Sequence, residues 1–144
     1  METATMGRVL TEVTIENLED LWAAQRGLLP ADQVRRVTVA DALVDTGATL
    51  LALPTRMIQQ LGLTPKYTRR FTSTAGLGET TVYGTVRLTI QGRECPTDVM
   101  EVPDSAPALV GQIPLEYLDF VIDPRSQRLI GNPAHGGEHM FELY

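Results

Sequence analysis

Apolar and polar residues alternate from Val9 to Glu16, with Val9, Thr11, Val13 and Ile15 on one face and Leu10, Glu12, Thr14 and Glu16 on the other. A period of two predicts a half-buried β-strand. The pattern breaks at Asn17. The spacing that follows predicts a short helix over Leu18–Gln25, closed by Gly27, then a loop through Pro30. Alternation returns over Val34–Val39. Ala42-Leu43-Val44 is a continuous apolar run, as expected of a strand covered on both faces. Pro54–Leu61 reads as a helix, with Pro54 at its first position, Met57, Ile58 and Leu61 on one face and Gly62 as its C-terminal cap.

The second half continues in strands. Phe71–Gly84, rich in threonine, predicts a β-hairpin tipped by Gly76 and Gly78. Val86, Leu88 and Ile90 alternate, Gln91-Gly92 marks a turn, and Cys95–Val102 reads as a further strand. Ala108–Gly111 is a short apolar run ending in glycine. Pro114–Leu118 opens a short helix with Leu115 and Leu118 inward. Phe120–Asp123 and Arg128–Ile130 form a last hairpin around Asp123-Pro124-Arg125-Ser126. No internal repeat or low-complexity tract interrupts the series. The expected fold is mostly β: a small closed β-barrel with one or two short helices.

Composition narrows the reading. A chain of 144 residues predicts one domain over 1–144, with a core at about 34–130, an N-terminal strand and loop at 8–33 and a C-terminal tail at 131–144. At 43% hydrophobic it holds enough apolar residues for one core. The net charge of −6, with basic residues scattered, argues against a phosphate-backbone partner. Cys95 is the single cysteine, so no internal disulfide forms, which fits a reducing compartment. No apolar run reaches the length of a membrane helix, and the stretch around Glu2 lacks the apolar core of a signal peptide. The expectation is a cytoplasmic protein that binds neither nucleic acid nor membrane.

The sharpest chemical feature is Ala42-Leu43-Val44-Asp45-Thr46-Gly47-Ala48. A carboxylate follows a buried apolar strand and is followed at once by a tight turn, where Gly47 permits a close approach that a side chain would block. An ordinary turn aspartate capping its own backbone has the same local sequence. The flanks favour a carboxylate set on a rigid ledge, because Asp45 directly follows three apolar residues and a second apolar run, Leu109-Val110-Gly111, lies downstream of the glycine-tipped hairpin.

In this order the motifs resemble the retropepsin-like aspartic proteases, and among them the bacterial and archaeal single-domain members more than the viral enzymes. The resemblance spans roughly Val34–Ile130. It implies that Asp45 is the catalytic aspartate and that Thr46 hydrogen-bonds across to a partner subunit. It places Gly47 where a carbonyl meets the substrate backbone, with Ala48 completing the active-site loop. The Thr72–Tyr83 hairpin becomes a flap whose residues Thr74, Ala75, Gly76, Leu77 and Gly78 bind substrate. Leu109, Val110 and Gly111 become the strand packed behind the active-site loop. Two departures stand out. Thr49-Leu50-Leu51 replaces acidic residues that contact substrate in viral enzymes, and Gln112 stands where those enzymes carry arginine or asparagine.

The implied chemistry needs two facing carboxylates, one protonated and one acting as base on a water. The chain has one Asp-Thr-Gly, so a homodimer is expected, with a two-fold axis through the site. The implied function is an aspartic endopeptidase acting on a peptide or protein substrate, without metal or other cofactor. The alternative is a non-catalytic peptide- or protein-binding domain that retains the fold. Three weaker features read blandly. His135-Gly136-Gly137-Glu138-His139 matches an inverted zinc-protease pattern, but its glycines and Pro133 oppose the helix that pattern needs, so a surface turn is expected. Cys95 reads as a packed thiol. Met140–Tyr144 reads equally as a frayed tail or as an interface strand.

Overall fold

The computed structural model describes residues 8–143. The strands are β1 (Val9–Asn17), β2 (Arg36–Val44), β3 (Leu51–Pro54), β4 (Thr64–Ser73), β5 (Gly76–Ile90), β6 (Arg93–Val102), β7 (Leu109–Val110), β8 (Phe120–Asp123) and β9 (Arg128–Gly131). The helices are α1 (Leu18–Gln25), α2 (Thr55–Leu61) and α3 (Gln112–Tyr117), joined by 3-10 turns at Ala31–Gln33 and Pro133–His135. Seven strands form one sheet in the order β1-β2-β7-β3-β6-β5-β4, and a further β1–β5 pairing closes a ring of hydrogen bonds. β8 and β9 form a separate hairpin. No described helix is long and apolar enough to cross a membrane.

The alternating residues of β1 and β5 fill the ring. Val13, Ile15, Val86, Leu88 and Ile90 are fully buried, beside Leu51 and Leu53 of β3, Val99 of β6 and Val110 of β7. Burying a side chain of this size contributes about 1.5–3 kcal/mol. Cys95 packs in the same core, and burial pushes its thiol up to about 11. In β2 the inward positions change parity. Val13 pairs with Val39 and Thr11 with Ala42, so β2 carries one extra residue between them. This bulge moves the buried set from Val39 to Ala42 and Val44 and sets the direction in which the strand delivers Asp45. Leu43, expected to be covered on both faces, is half-buried.

Several boundaries differ from the sequence pattern. Pro54 is the last residue of β3, paired with Val102, and the helix starts at Thr55 with Pro54 as its N-cap. The hairpin is longer than expected, because β4 begins at Thr64 and its residues are mostly exposed. The turn at its tip is Thr74-Ala75, and Ser73 pairs with Gly76. Gly76 has φ +112°, a conformation that glycine adopts without strain. Gly78 lies within β5, and a Cβ there would sit 2.5 Å from the Phe71 ring opposite. α3 starts at Gln112, two residues before the expected helix.

The seam of the ring is held by charge. Glu16 pairs across β1 with Arg36 of β2 and with Arg87 of β5. One carboxylate oxygen accepts from Arg36 Nη2 at 3.0 Å, and the other accepts from Arg87 Nη2 at 2.7 Å. Burial opposes the charge on Glu16, but the two guanidinium forks outweigh it and hold the carboxyl below its ordinary value. Beside it Asn17 caps α1 by accepting from Asp20 N–H and donates to Leu61 O at the end of α2. A carboxyl depressed on folding stabilises above the ordinary glutamate range and loses that contribution as the pH falls through its folded value. Glu16→Gln should therefore cost about 1–2 kcal/mol at pH 7, the two arginines being partly exposed. Thermal melting of the two proteins should converge as the pH falls below the ordinary glutamate range. A pH-independent difference would contradict the ion-pair account.

Candidate active site

Asp45 stands at the point where β2 leaves the sheet. Its N–H donates to Val110 O at 2.9 Å, continuing the parallel β2–β7 pairing of Leu43 with Leu109 and Val44 with Val110. Its Oδ1 accepts from Gly47 N–H at 2.9 Å, and its carbonyl accepts from Ala48 N–H at 3.0 Å. The side chain is half-buried, and Thr46 and Gly47 are exposed. The four residues Asp45, Thr46, Gly47 and Ala48 thus form a turn that closes on the aspartate's own backbone and carboxylate.

The loop is tied down a second time from the other side of β7. Gly111 N–H donates to Leu50 O, Gln112 N–H to Ala48 O, and Ile113 N–H to Thr49 O, at 2.8–3.0 Å. Gly111 is buried against this backbone. A Cβ on it would lie 2.5 Å from Leu50 O and 2.7 Å from Ala48 O, with no flexible side chain to yield. The structure therefore brings Asp45–Ala48 and Leu109–Gly111 together through backbone hydrogen bonds.

Two adjoining clefts lie between this loop and the β4–β5 hairpin. One, of about 550 Å³, is lined by Asp45, Gly47, Ala48, Ser73, Glu79 and Glu101, among others. The other, of about 820 Å³, is lined by Tyr67, Arg69, Arg70, Leu77, Val82 and Ile113, among others. Gly47, Thr49, Leu50, Phe71, Thr72 and Met100 border both. Each is of the size that takes a ligand. Of the five hairpin residues singled out by sequence, Leu77 lines a cleft. Thr74 and Ala75 form the exposed turn, Gly76 closes it, and Gly78 lies under Phe71.

Glu101 was not visible in the sequence. Its carboxylate accepts from Thr55 Oγ1 at 2.7 Å and Tyr83 OH at 3.2 Å, and its carbonyl accepts from Thr80 Oγ1 at 2.7 Å. Burial, and then the Glu101 carboxylate, push the Tyr83 phenol above its ordinary value. The partners come from α2 and β5, far in sequence from Glu101 on β6, so no local spacing signals the cluster.

A family model described as gag-polyprotein putative aspartyl protease matches residues 33–116, more than half of the chain. The chain belongs to this family of retropepsin-like aspartyl proteases. The matched stretch contains the Asp45 loop, both arms of the hairpin and β7. No curated protein matches the chain. The mostly β ring, with β7 held between β2 and β3, is consistent with the aspartic protease fold, with three helices where one or two were expected.

The histidines at the C-terminal end have separate partners. His135 Nδ1 lies 2.6 Å from Asp119 Oδ2 and its Nε2 lies 2.8 Å from Glu142, while His139 Nε2 lies 3.1 Å from Tyr117 O. Glu142 and then Asp119 raise the affinity of His135 for its proton. Among the described residues no cluster of three or more His, Cys, Asp or Glu is placed to hold a metal ion. The tail through Leu143 is not a strand, although Asp119 Oδ2 anchors Met140 N–H at 3.1 Å. Tyr144 lies outside the described residues.

Gly111→Ala tests how firmly the loop is held. The added methyl meets carbonyl oxygens on two sides, so the variant should lose at least about 2 kcal/mol of stability. Hydrogen exchange at Asp45 and Gln112 N–H should speed up. A loss under about 0.5 kcal/mol would show that the loop yields freely.

Proposed function

We propose that the protein is an aspartic endopeptidase, active as a homodimer in which Asp45 of each chain supplies one carboxylate. The observation that carries this reading is the placement of Asp45. A side chain in a turn fixed on both sides by β7 borders a cleft large enough for a peptide, beneath a two-stranded hairpin. One such carboxylate per chain cannot be both acid and base. Two related by a two-fold axis can, because facing carboxylates cannot both ionise. The ionised one takes a proton from water as that water attacks the peptide carbonyl. The protonated one donates to the carbonyl oxygen, forming the gem-diol, and proton transfer to the amide nitrogen then releases the amine product.

Further support comes from the surface next to the loop. Ile113 and Tyr117 of α3 are exposed, as are Met140 and Phe141 of the tail, and Phe141 meets Tyr117 edge-on at 5.2 Å. This apolar surface begins two residues after Gly111 and is suited to a second copy of the chain. The exposed Thr46 hydroxyl lies on the same loop and is available to a partner. The β4–β5 hairpin is the flap in this reading, with Phe71, Thr72 and Ser73 as the residues that meet substrate.

Asp45→Asn tests the proposal. Asparagine keeps the Oδ1 that accepts from Gly47 N–H, so the loop and the melting temperature should be preserved. It cannot act as base, and peptidase activity should fall at least about 100-fold. Full activity in the variant would refute the assignment. A wild type that binds peptides and cleaves none would favour a non-catalytic peptide-binding domain.

A further inference from the structure

The larger cleft is unevenly charged, although most of its lining is apolar. Leu50, Phe71, Leu77, Val82, Met100 and Ile113 supply apolar surface, and Arg69 and Arg70 supply the charge. The two arginines differ. Arg70 stands opposite Glu79 in the β4–β5 ladder, so a carboxylate faces it across the strands. Arg69 stands opposite Thr80. It shares its face of β4 with Tyr67 and Phe71, two positions to either side, and its guanidinium lies 4.9 Å from the centre of the Tyr67 ring. Among the described residues no carboxylate comes within ion-pair distance of Arg69. A chain of net charge −6 thus leaves a ring-supported guanidinium over a cleft without its own counterion.

The adjoining cleft has the opposite character, since Asp45, Glu79 and Glu101 line it. An acidic side chain on a ligand spanning both clefts is repelled from the cleft lined by Asp45, Glu79 and Glu101 and attracted to the one lined by Arg69. An extended peptide presents residues two apart to one face, about 7 Å from each other. Phe71 and Arg69 are spaced in the same way on β4. From this juxtaposition we infer that Arg69 is a specificity residue, selecting peptides that carry an Asp or Glu two positions from an apolar residue seated against Phe71, Leu50 and Met100. This substrate class rests on the endopeptidase reading above. In a two-fold dimer the same subsite recurs on each side of the scissile bond.

The test uses three peptides identical except for Glu, Gln or Lys two residues from a phenylalanine flanking the scissile bond. For the wild type at pH 6, kcat/KM should fall in the order Glu, Gln, Lys, with Glu over Gln by about three- to tenfold. Raised ionic strength should shrink that ratio. In Arg69→Gln the Glu/Gln ratio should collapse to about one, and Arg69→Glu should invert the order towards Lys. Dissociation constants of the labelled peptides for Asp45→Asn, read by fluorescence anisotropy, should show the same preference without chemistry. Cleavage of all three peptides at equal rates with equal affinities would overturn the subsite and leave the protease reading intact. Affinities that depend on Arg69 in a wild type that cleaves nothing would overturn the protease reading and leave the subsite standing. A Glu/Gln ratio unchanged in both Arg69 variants would remove Arg69 from the account.

Discussion

A strand of two residues holds the candidate site in place. Leu109 and Val110 lie between β2 and β3, and every loop that matters hydrogen-bonds to them or to their immediate neighbours. Asp45 N–H reaches Val110 O, and Leu43 N–H reaches Ala108 O. On the far side Gly111, Gln112 and Ile113 donate to the carbonyls of Leu50, Ala48 and Thr49. The loop bearing the aspartate is thus fixed by backbone hydrogen bonds from both flanks before any partner arrives. Such preorganisation matters because a catalytic carboxylate must be held to within a fraction of an ångström, and backbone contacts hold position better than side chains do. The arrangement also explains why glycine occupies position 111, since two carbonyl oxygens fill the space where a side chain would begin.

The hairpin is built on the opposite principle. β5 pairs with β4 over Gly76–Gly84 and with β1 from Val86 onward, so one continuous strand serves the hairpin in its first half and the ring in its second. Within the ring half Val86, Leu88 and Ile90 are fully buried. In the hairpin half Val82 is the one buried residue among Gly76–Gly84, and the facing strand β4 is exposed along almost all of its length, with the Phe71 ring lying over Gly78. Segments held mainly by ladder hydrogen bonds open at lower free energy than segments anchored in the core. A stiff floor and a lightly anchored cover suit the peptide-admitting cleft proposed above.

What the sequence made legible follows the same division. β1 and the ring half of β5 were readable because one face of each is buried, and burial writes a period into the residues. The Asp45 loop and Leu109–Gly111 were readable as motifs, and their mutual contact was implied by resemblance to a known family. β4 was half missed because Thr64–Arg70 has no buried face and therefore no period. β3 was missed because its four residues are buried on both sides and paired to strands distant in sequence, with Pro54 drawn into it rather than into the helix. Glu101 and Arg69 became visible through long-range register, which sets what stands opposite them and which no local spacing encodes.

In the proposed homodimer the site is a property of two chains, and the most direct measurement is the stoichiometry of a transition-state mimic. A peptide isostere with a hydroxyl in place of the tetrahedral carbon can be titrated calorimetrically into the protein. One molecule bound per two chains is the expected result, because each ligand spans a pair of Asp45 carboxylates, and binding should vanish in Asp45→Asn. One molecule bound per chain, with Asp45→Asn binding equally well, would contradict the account.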